Sequence, residues 1–242
     1  MSRKSKRNHA TPDAPAQQAA APSGGISRRT LFVVAALALL LAFVSGGLFY
    51  RSEKAQAAQR LAAQNKALLA SAHSPSYGNA DAKVHIVEFL DPACETCAVF
   101  YGHVKQLMAD NPGRIRLSVR HVPLHEGSEH VVRMLESARA QDRYWEALAA
   151  LFAAQDRWTV NHRVHPERAW PALEGLGLDL ERVRREMNAA DIAARMEKDA
   201  SDARALNVTK TPEYFVNGRP MPQFGLAELQ GLVREELEIA YR

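Results

Sequence analysis

Residues 84–97 read VHIVEFLDPACETC and join an apolar, strand-like run to the only two cysteines of the 242-residue chain. The triplet DPA breaks the run, and residues 98–108 after the cysteines have the pattern of a helix. Cys94 therefore stands at a helix N-terminus, where free backbone N–H groups and the helix dipole favour a thiolate. Cys97, one turn further on, can close a disulfide with it. The motif indicates thiol–disulfide chemistry.

Two other uses of a Cys-x-x-C pair are less favoured. A structural disulfide with only two residues inside its ring removes little conformational entropy from the unfolded chain. A structural zinc ion needs about four ligands, and the chain has no second Cys-x-x-C. We therefore expect no metal ion, and no cofactor beyond the redox-active disulfide Cys94–Cys97.

The positive charge of the chain is concentrated near its start. The formal net charge is +4, but residues 1–30 hold six basic side chains and one acidic one, so that the remainder carries −1. The remainder thus lacks the basic surface of a nucleic-acid-binding protein, and no nucleic-acid partner is expected. Residues 1–30 are predicted to be a disordered, basic cytoplasmic tail.

Residues 31–50 contain no charged side chain, and as a helix they span roughly 30 Å, the thickness of a bilayer core. The apolar region of a cleavable signal is normally shorter, about 7–15 residues. Because the basic residues precede the span, the positive-inside rule places the rest of the chain outside the cytoplasm. We predict a single-pass signal anchor in a bacterial inner membrane, with the main domain in the periplasm. The alternative is a cleaved signal and a soluble periplasmic protein, since SRR at 27–29 resembles a twin-arginine signal and AQA at 55–57 a cleavage site.

Residues 51–76 predict a helical stalk or linker, solvated and without a sustained heptad. Residues 77–242 show strand, helix, strand, a helical block over about 127–206, then two short strands with a hairpin turn and a final helix. Ser128 is the predicted N-cap of the first helix of the block. This order predicts an α/β domain with a small mixed sheet and a helical insertion.

Three motifs together resemble DsbA-like proteins of the thioredoxin superfamily. GNADAKVHIVEF at 78–89, followed by the Cys-x-x-C, is similar to the opening of that family. RHVPL at 120–124 is similar to the end of its second strand, and VTKTPEYFVNG at 208–218 to its cis-proline strand and hairpin. The resemblance covers roughly residues 77–240. It implies a thioredoxin-like fold with a DsbA-like helical insertion, here preceded by a single transmembrane helix.

The resemblance also implies roles for individual residues. Cys94 is expected to be the nucleophile and Cys97 the resolving thiol. Pro212 is expected to form a cis peptide bond facing the disulfide, with Thr211 supplying a backbone contact to the substrate. Glu88 corresponds to a partly buried acid that takes the proton of Cys97. The alternative for Glu88 is an ordinary strand carboxylate that faces solvent.

The two residues between the cysteines depart from the family pattern. Strongly oxidising members carry Pro-His there, whereas this chain has Glu95 and Thr96. A carboxylate beside Cys94 disfavours its thiolate and is expected to weaken the protein as an oxidant. Glu95 and Thr96 are therefore predicted to tune the motif, and the direction of electron flow stays open.

Together these features predict a membrane-anchored thiol:disulfide oxidoreductase that exchanges disulfides with exported, cysteine-containing proteins. Its expected partners are the lipid bilayer, through residues 31–50, and a membrane redox protein, either a DsbB-like oxidase or a DsbD-like reductant. A disulfide reductase or isomerase of the same fold is the first alternative. A non-enzymatic periplasmic metal-binding or holdase module is the second, although the six methionines are scattered rather than clustered as a soft-metal site would need.

Overall fold

The computed structural model describes residues 27–242. Residues 1–26 of the predicted tail lie outside the described residues. The chain divides into two compact units, Met1–Ser52 and Glu53–Arg242. A 42-residue helix, Arg28–Leu69, begins in the first unit and ends in the second. Within the described residues it is the one helix whose length and hydropathy allow it to cross a membrane, and it contains the predicted span.

The predicted strands and helices occur in the predicted order, together with short strands that were not predicted. The strands are β1 (Ser76–Gly78), β2 (Val84–Leu90), β3 (Ile115–His121), β4 (Thr159–Val160), β5 (Arg163–Val164), β6 (Glu213–Val216) and β7 (Arg219–Pro220). The α-helices are α1 (Arg28–Leu69), α2 (Glu95–Ala109), α3 (Ser128–Arg139), α4 (Tyr144–Ala153), α5 (Gln155–Trp158), α6 (Pro166–Ala169), α7 (Leu180–Glu186), α8 (Ala190–Ala205) and α9 (Leu226–Ala240).

A five-stranded mixed sheet of order β1-β3-β2-β6-β7 forms the centre of the domain. Strand β2 pairs in parallel with β3, with Val84 opposite Ile115, and antiparallel with β6, with Ile86 opposite Val216. Every residue of β2 except His85 is buried, which explains its nearly continuous apolar sequence. The predicted α/β architecture is confirmed. The edge strand β1 was not predicted, because its three residues are all exposed and carry no apolar alternation.

Alternation along β2 assigns its side chains to the two faces of the sheet. Val84 and Ile86 belong to a core cluster that includes residues of α2 and α9. Val87 and Phe89 belong to a cluster on the other face that includes Leu69 at the end of α1. Position 88 falls on the same face as 84 and 86, which directs its side chain towards the helix that carries the cysteines.

The end of α1 packs on the domain, so the predicted solvated stalk is wrong for its last two turns. Ala62, Asn65 and Leu69, spaced to share one helix face, are buried. Asn65 Nδ2 donates a hydrogen bond to the carbonyl oxygen of Gly218 at 3.0 Å. Gly218 has φ +89°, and a Cβ there would lie 2.5 Å from the carbonyl oxygen of Ala62. Glycine is therefore required for this approach.

A buried ion network joins the end of β3 to α8. Arg120 is fully buried; its guanidinium donates to Asp202 at 2.6 Å and also contacts Asp199. The backbone N–H of His121 donates to Asp199 at 2.9 Å. Arg120 also donates to the carbonyl oxygen of Leu68 at 3.1 Å. These contacts compensate the burial of the charges and make Arg120, within the RHVPL motif, a structural residue.

Two details of the insertion differ from prediction. The N-cap of α3 is Gly127, with φ +82°, and Ser128 is the first helical residue. Its hydroxyl donates to Asp91 instead of capping the helix. Within the predicted helical block, α6 is followed by a 3₁₀ turn, Trp170–Leu173, instead of continuing as an α-helix. Pro171 explains the change, because it lacks the N–H that an α-helix would need there.

Candidate active site

The two cysteines lie at the start of α2, directly after the loop that leaves β2. Cys94 is the N-cap of α2, with extended backbone (φ −78°, ψ 117°). Both cysteines are free thiols; 6% of the Cys94 surface is exposed and none of the Cys97 surface. Cys94 is thus the more accessible sulfur, as predicted, and it stands where the helix dipole favours negative charge.

Hydrogen bonds favour the thiolate of Cys94. The thiol of Cys97 has the largest effect, against the opposing effect of burial, and the Cys97 N–H, the Thr211 side chain and the Thr96 N–H add to it. Together they lower the pKa of Cys94 to about 6. A thiol with this pKa is mainly a thiolate at neutral pH, which is the nucleophilic form.

Cys97 has the opposite environment. Burial raises the pKa of the Cys97 thiol well above its usual range, and its hydrogen bond to Cys94 and the charge of Glu88 raise it further. The reduced pair therefore consists of one thiolate and one thiol. Such a pair can attack with Cys94, but Cys97 has to give up its proton before it can attack in turn.

Glu88 lies on β2 and is fully buried, so the solvent-facing alternative is wrong. Among the described residues, neither its carboxyl oxygens nor the Tyr214 hydroxyl has a hydrogen-bond partner. Burial raises the pKa of Glu88 to about 8; the Tyr214 hydroxyl, close but outside hydrogen-bond geometry, lowers it somewhat, and the charge of Cys94 raises it. A carboxyl that titrates near neutral pH can both accept and release a proton.

Thr211 and Pro212 stand just before β6, against the cysteines. The peptide bond between them is cis, as predicted. In its protonated form, Cys94 donates a hydrogen bond to the carbonyl oxygen of Thr211, with the two atoms 3.4 Å apart. The structure thus brings together the predicted nucleophile and the residue predicted to supply a backbone contact.

Asp91 is a residue of this site that the sequence analysis missed. Its carboxylate is fully buried and accepts backbone N–H groups of Ala93 at 2.9 Å, Leu124 at 2.7 Å and His125 at 2.9 Å. The Nδ1 atom of His125, at 2.7 Å, and the hydroxyl of Ser128 also contact it. Asp91 thus fixes the turn before Cys94 to the loop after β3. The Asp-Pro pair, a turn signal directly after a buried strand, was the available clue.

Glu95 lies at the exposed rim of the site. Its carboxylate is 3.3 Å from Nδ1 of His162, which occupies the tip of the β4–β5 hairpin. Asn161 and His162 have φ 51° and 59°, the positive values of a type I′ turn, which commonly joins the two strands of a hairpin. This hairpin was not predicted, because two-residue strands show no alternation. The effect of Glu95 on oxidising strength stays a prediction.

The fold is similar to that of solved DsbA-like proteins. A thioredoxin-like oxidoreductase from Silicibacter pomeroyi DSS-3 is 26% identical, with a TM-score of 0.62, over 73% of this chain and 96% of the other. BdbD from Bacillus subtilis is 25% identical, with a TM-score of 0.61, over 69% and 94%. α-DsbA1 from Wolbachia pipientis, 18% identical with a TM-score of 0.63 over 73% and 97%, shares the fold.

The chain is also similar to parts of much longer curated proteins, named Na(+)/H(+) antiporters. NhaA of Herminiimonas arsenicoxydans is 32% identical over 142 residues, 59% of this chain and 22% of that protein. NhaA 3 of Salinispora tropica is 32% identical over 145 residues, 59% and 21%. The chain spans about a fifth of the length of these relatives, so their ion transport is not carried over to it.

The sequence model of a family described as Thioredoxin matches residues 70–235, more than half of the chain. The match begins directly after α1 and includes both cysteines, Glu88 and Pro212. Its extent agrees with the range of the motifs and with the solved structures of the same fold. This chain therefore belongs to the thioredoxin family and has the fold of its DsbA-like oxidoreductases.

Proposed function

We propose that this protein is a thiol:disulfide oxidoreductase that exchanges disulfides with exported proteins through Cys94 and Cys97. The observation that carries the proposal is the position of the Cys94 thiol, at the start of α2 and against the Thr211 carbonyl oxygen. Cys97 lies in the first turn behind it, fully buried. A client segment can reach the first sulfur, whereas the second is reserved for reaction inside the protein.

In the oxidising direction, a client thiolate attacks the Cys94 sulfur of the Cys94–Cys97 disulfide. The bond between the two cysteines breaks, Cys97 leaves as a thiolate and takes up a proton, and Cys94 is joined to the client. A second client thiolate then attacks the client sulfur of this mixed disulfide and releases Cys94. The client loses two electrons, and the protein gains them. A net reductase uses the same steps in reverse. An isomerase attacks a client disulfide with the Cys94 thiolate, and another client thiolate releases Cys94, so no net electrons are transferred.

The backbone beside Cys94 supports recognition of an extended client segment. Thr211 offers its carbonyl oxygen at the point where the mixed disulfide would form, next to the cis Thr211–Pro212 bond. Main-chain pairing of this kind binds clients with little dependence on their side chains. We propose Thr211 and Pro212 as the client-binding residues of this exchange.

Glu88 is proposed to exchange the proton that Cys97 gains or loses. Its charge raises the pKa of the Cys97 thiol, so the two groups interact electrostatically, and both are fully buried. Bulk water therefore has no open route to Cys97. A buried carboxyl with a pKa of about 8 can take this proton at neutral pH, directly or through a water molecule.

We propose that the thioredoxin domain lies outside the cytoplasm, in the bacterial periplasm, where disulfides persist. The apolar helix that begins at Arg28 supplies either an anchor or a signal, and retention in membranes after carbonate washing distinguishes the two. A DsbB-like oxidase would reoxidise the cysteine pair after it has oxidised a client. A DsbD-like protein would instead keep the pair reduced.

Trapping of mixed disulfides tests the proposal. Full-length Cys97→Ser protein, expressed in bacteria and quenched with acid and an alkylating agent, should carry client adducts that a reductant releases. Cys94→Ser protein is the matched variant and should carry none, because it lacks the attacking sulfur. Equal adducts on both variants, or none on Cys97→Ser protein, would contradict the proposal.

A further inference from the structure

Three potential metal ligands meet at the rim of the active site, and none of them is used in disulfide exchange as proposed above. They are Glu95 in the first turn of α2, His125 in the loop after β3 and His162 at the tip of the β4–β5 hairpin. One ligand atom from each lies within 4.8 Å of the others. Two imidazoles and a carboxylate are a common ligand set for Zn²⁺.

His125 is already oriented as a metal ligand. Its Nδ1 atom lies 2.7 Å from the buried carboxylate of Asp91, so Nε2 is left for a metal ion. A histidine that binds a metal through one nitrogen usually donates the other N–H to a carboxylate, which fixes the tautomer and the ring orientation. Asp91 is itself held by backbone N–H groups, so this support is rigid.

The hairpin that carries His162 is fastened to the loop that carries His125. The backbone N–H of Val164 donates to the carbonyl oxygen of Glu126 at 3.0 Å, and Arg163 lies 2.8 Å from the Glu126 carboxylate. The two imidazoles face each other with ring centroids 6.2 Å apart. Their approach therefore rests on a backbone hydrogen bond and an ion pair between the hairpin and the loop.

Small rotations are enough to close the cluster around an ion. Bonds of about 2.0–2.1 Å in a tetrahedral site place ligand atoms about 3.4 Å apart. Glu95 and His162 already approach to 3.3 Å. Their side chains are 56% and 75% exposed, so they can move to the fixed His125 without disturbing the core.

We infer that Glu95, His125 and His162 bind one Zn²⁺ ion beside Cys94, with Asp91 as the positioning residue behind His125. Three protein ligands leave one tetrahedral position for water or for a group of a bound client. The ion would tie the hairpin tip to the first turn of α2. The sequence predicted no metal ion, because Glu95, His125 and His162 are far apart in the chain and only the fold brings them together.

Zinc binding is measured on full-length Cys94→Ser/Cys97→Ser protein, purified in detergent without a histidine tag and stripped with a chelator. Without its thiols, the protein can report only on the other ligands, so the result is independent of disulfide exchange. Titration of Zn²⁺ against a chromophoric chelator should show one ion per chain. His162→Asn, in which asparagine suits the positive φ, and His125→Ala should each weaken binding about 10-fold or more, and Asp91→Asn about 10–100-fold.

A second readout and a control complete the test. Zn²⁺ should slow backbone hydrogen exchange in residues 159–164 of the cysteine-free protein but not of its His162→Asn variant. His103→Ala, which removes an exposed histidine of α2 outside the cluster, should bind Zn²⁺ like the parent. Equal affinity of His162→Asn and the parent would overturn the inference, because the ion would then be held elsewhere.

Discussion

The sulfur of Cys94 lies 3.4 Å from the backbone carbonyl oxygen of Thr211 and donates a hydrogen bond to it when protonated, although 117 sequence positions separate the two residues. The contact joins the start of α2 to the segment before β6, so two motifs that lie far apart in the sequence form one site. A mixed disulfide on Cys94 would form directly beside this backbone acceptor. The geometry thus combines the reacting sulfur with a main-chain contact for the client.

Glu88 should make the folded domain less stable as the pH rises. Its pKa of about 8 in the folded protein lies above the ordinary value of 4.5, so the folded state holds a proton that the unfolded chain releases. The stabilisation of the folded state by this proton is fully present below pH 4.5 and is lost as the pH rises through about 8. Glu88→Gln, always neutral and of similar size, should be about 3 kcal/mol more stable than the native protein at pH 7.

The measurement is the midpoint of thermal unfolding of both proteins between pH 5 and pH 8. The difference in midpoint should be small at pH 5 and grow towards pH 8. Glu129→Gln, which changes an exposed carboxylate of α3, serves as the control and should follow the native protein. A difference between Glu88→Gln and native protein that stays constant with pH would rule out a buried, titrating carboxyl.

Arg120→Met should strongly destabilise the domain. The substitution leaves the carboxylates of Asp199 and Asp202 buried without their shared guanidinium. Removal of one partner from a buried ion pair costs about 3–5 kcal/mol, which denaturant unfolding at pH 7 can measure. Arg204→Met is the matched control, because Arg204 pairs with Glu197 at an exposed site and should cost less than about 1 kcal/mol. Similar losses for both variants would contradict the structural role of Arg120.

Gly218→Ala should release the end of α1 from the domain. The new Cβ would meet the carbonyl oxygen of Ala62 at 2.5 Å, and the helix would have to move. We expect trypsin to cut at Arg60 and Lys66 several-fold faster in this variant, since proteolysis requires local opening of the helix. Gly113→Ala is the matched control.

Gly113 also has a positive φ, +73°, but a Cβ there meets no atom within 4 Å. The Gly113→Ala variant therefore has the same kind of backbone strain as Gly218→Ala, but its new Cβ makes no contact with α1. Cleavage should keep its native rate in the Gly113→Ala variant. Equal acceleration in both variants would contradict this account, because backbone strain in a turn, and not the clash with α1, would then cause the faster cleavage.

The features that the sequence predicted are those encoded by neighbouring residues. The helix start at Cys94 follows from a strand, a break and a helical pattern within about 25 residues, and the spacing to Cys97 is itself local. The burial of Glu88 was left open, because alternation assigns a face of the strand but not what covers that face.

The features that it missed depend on contacts between distant parts of the chain. Asn65 reaches Gly218 across 153 sequence positions, and a helical segment rich in alanine and glutamine gives no sign of such a partner. His125 and His162 approach through a hairpin of two-residue strands, too short to show a pattern. Asp91 looked like a turn residue, and only the fold shows how many groups it holds.

The reversible oxidation of Cys94 and Cys97 tests the central claim most directly. Full-length protein in detergent is equilibrated with glutathione buffers of defined ratio and a chelator, quenched with acid and alkylated, and its free thiols are counted by mass spectrometry. We expect both thiols to disappear together in one transition with the slope of a two-electron couple, about 30 mV for each tenfold change. If both thiols persist at every ratio, or if Cys94 takes up glutathione while Cys97 remains a thiol, the two cysteines are not a redox pair.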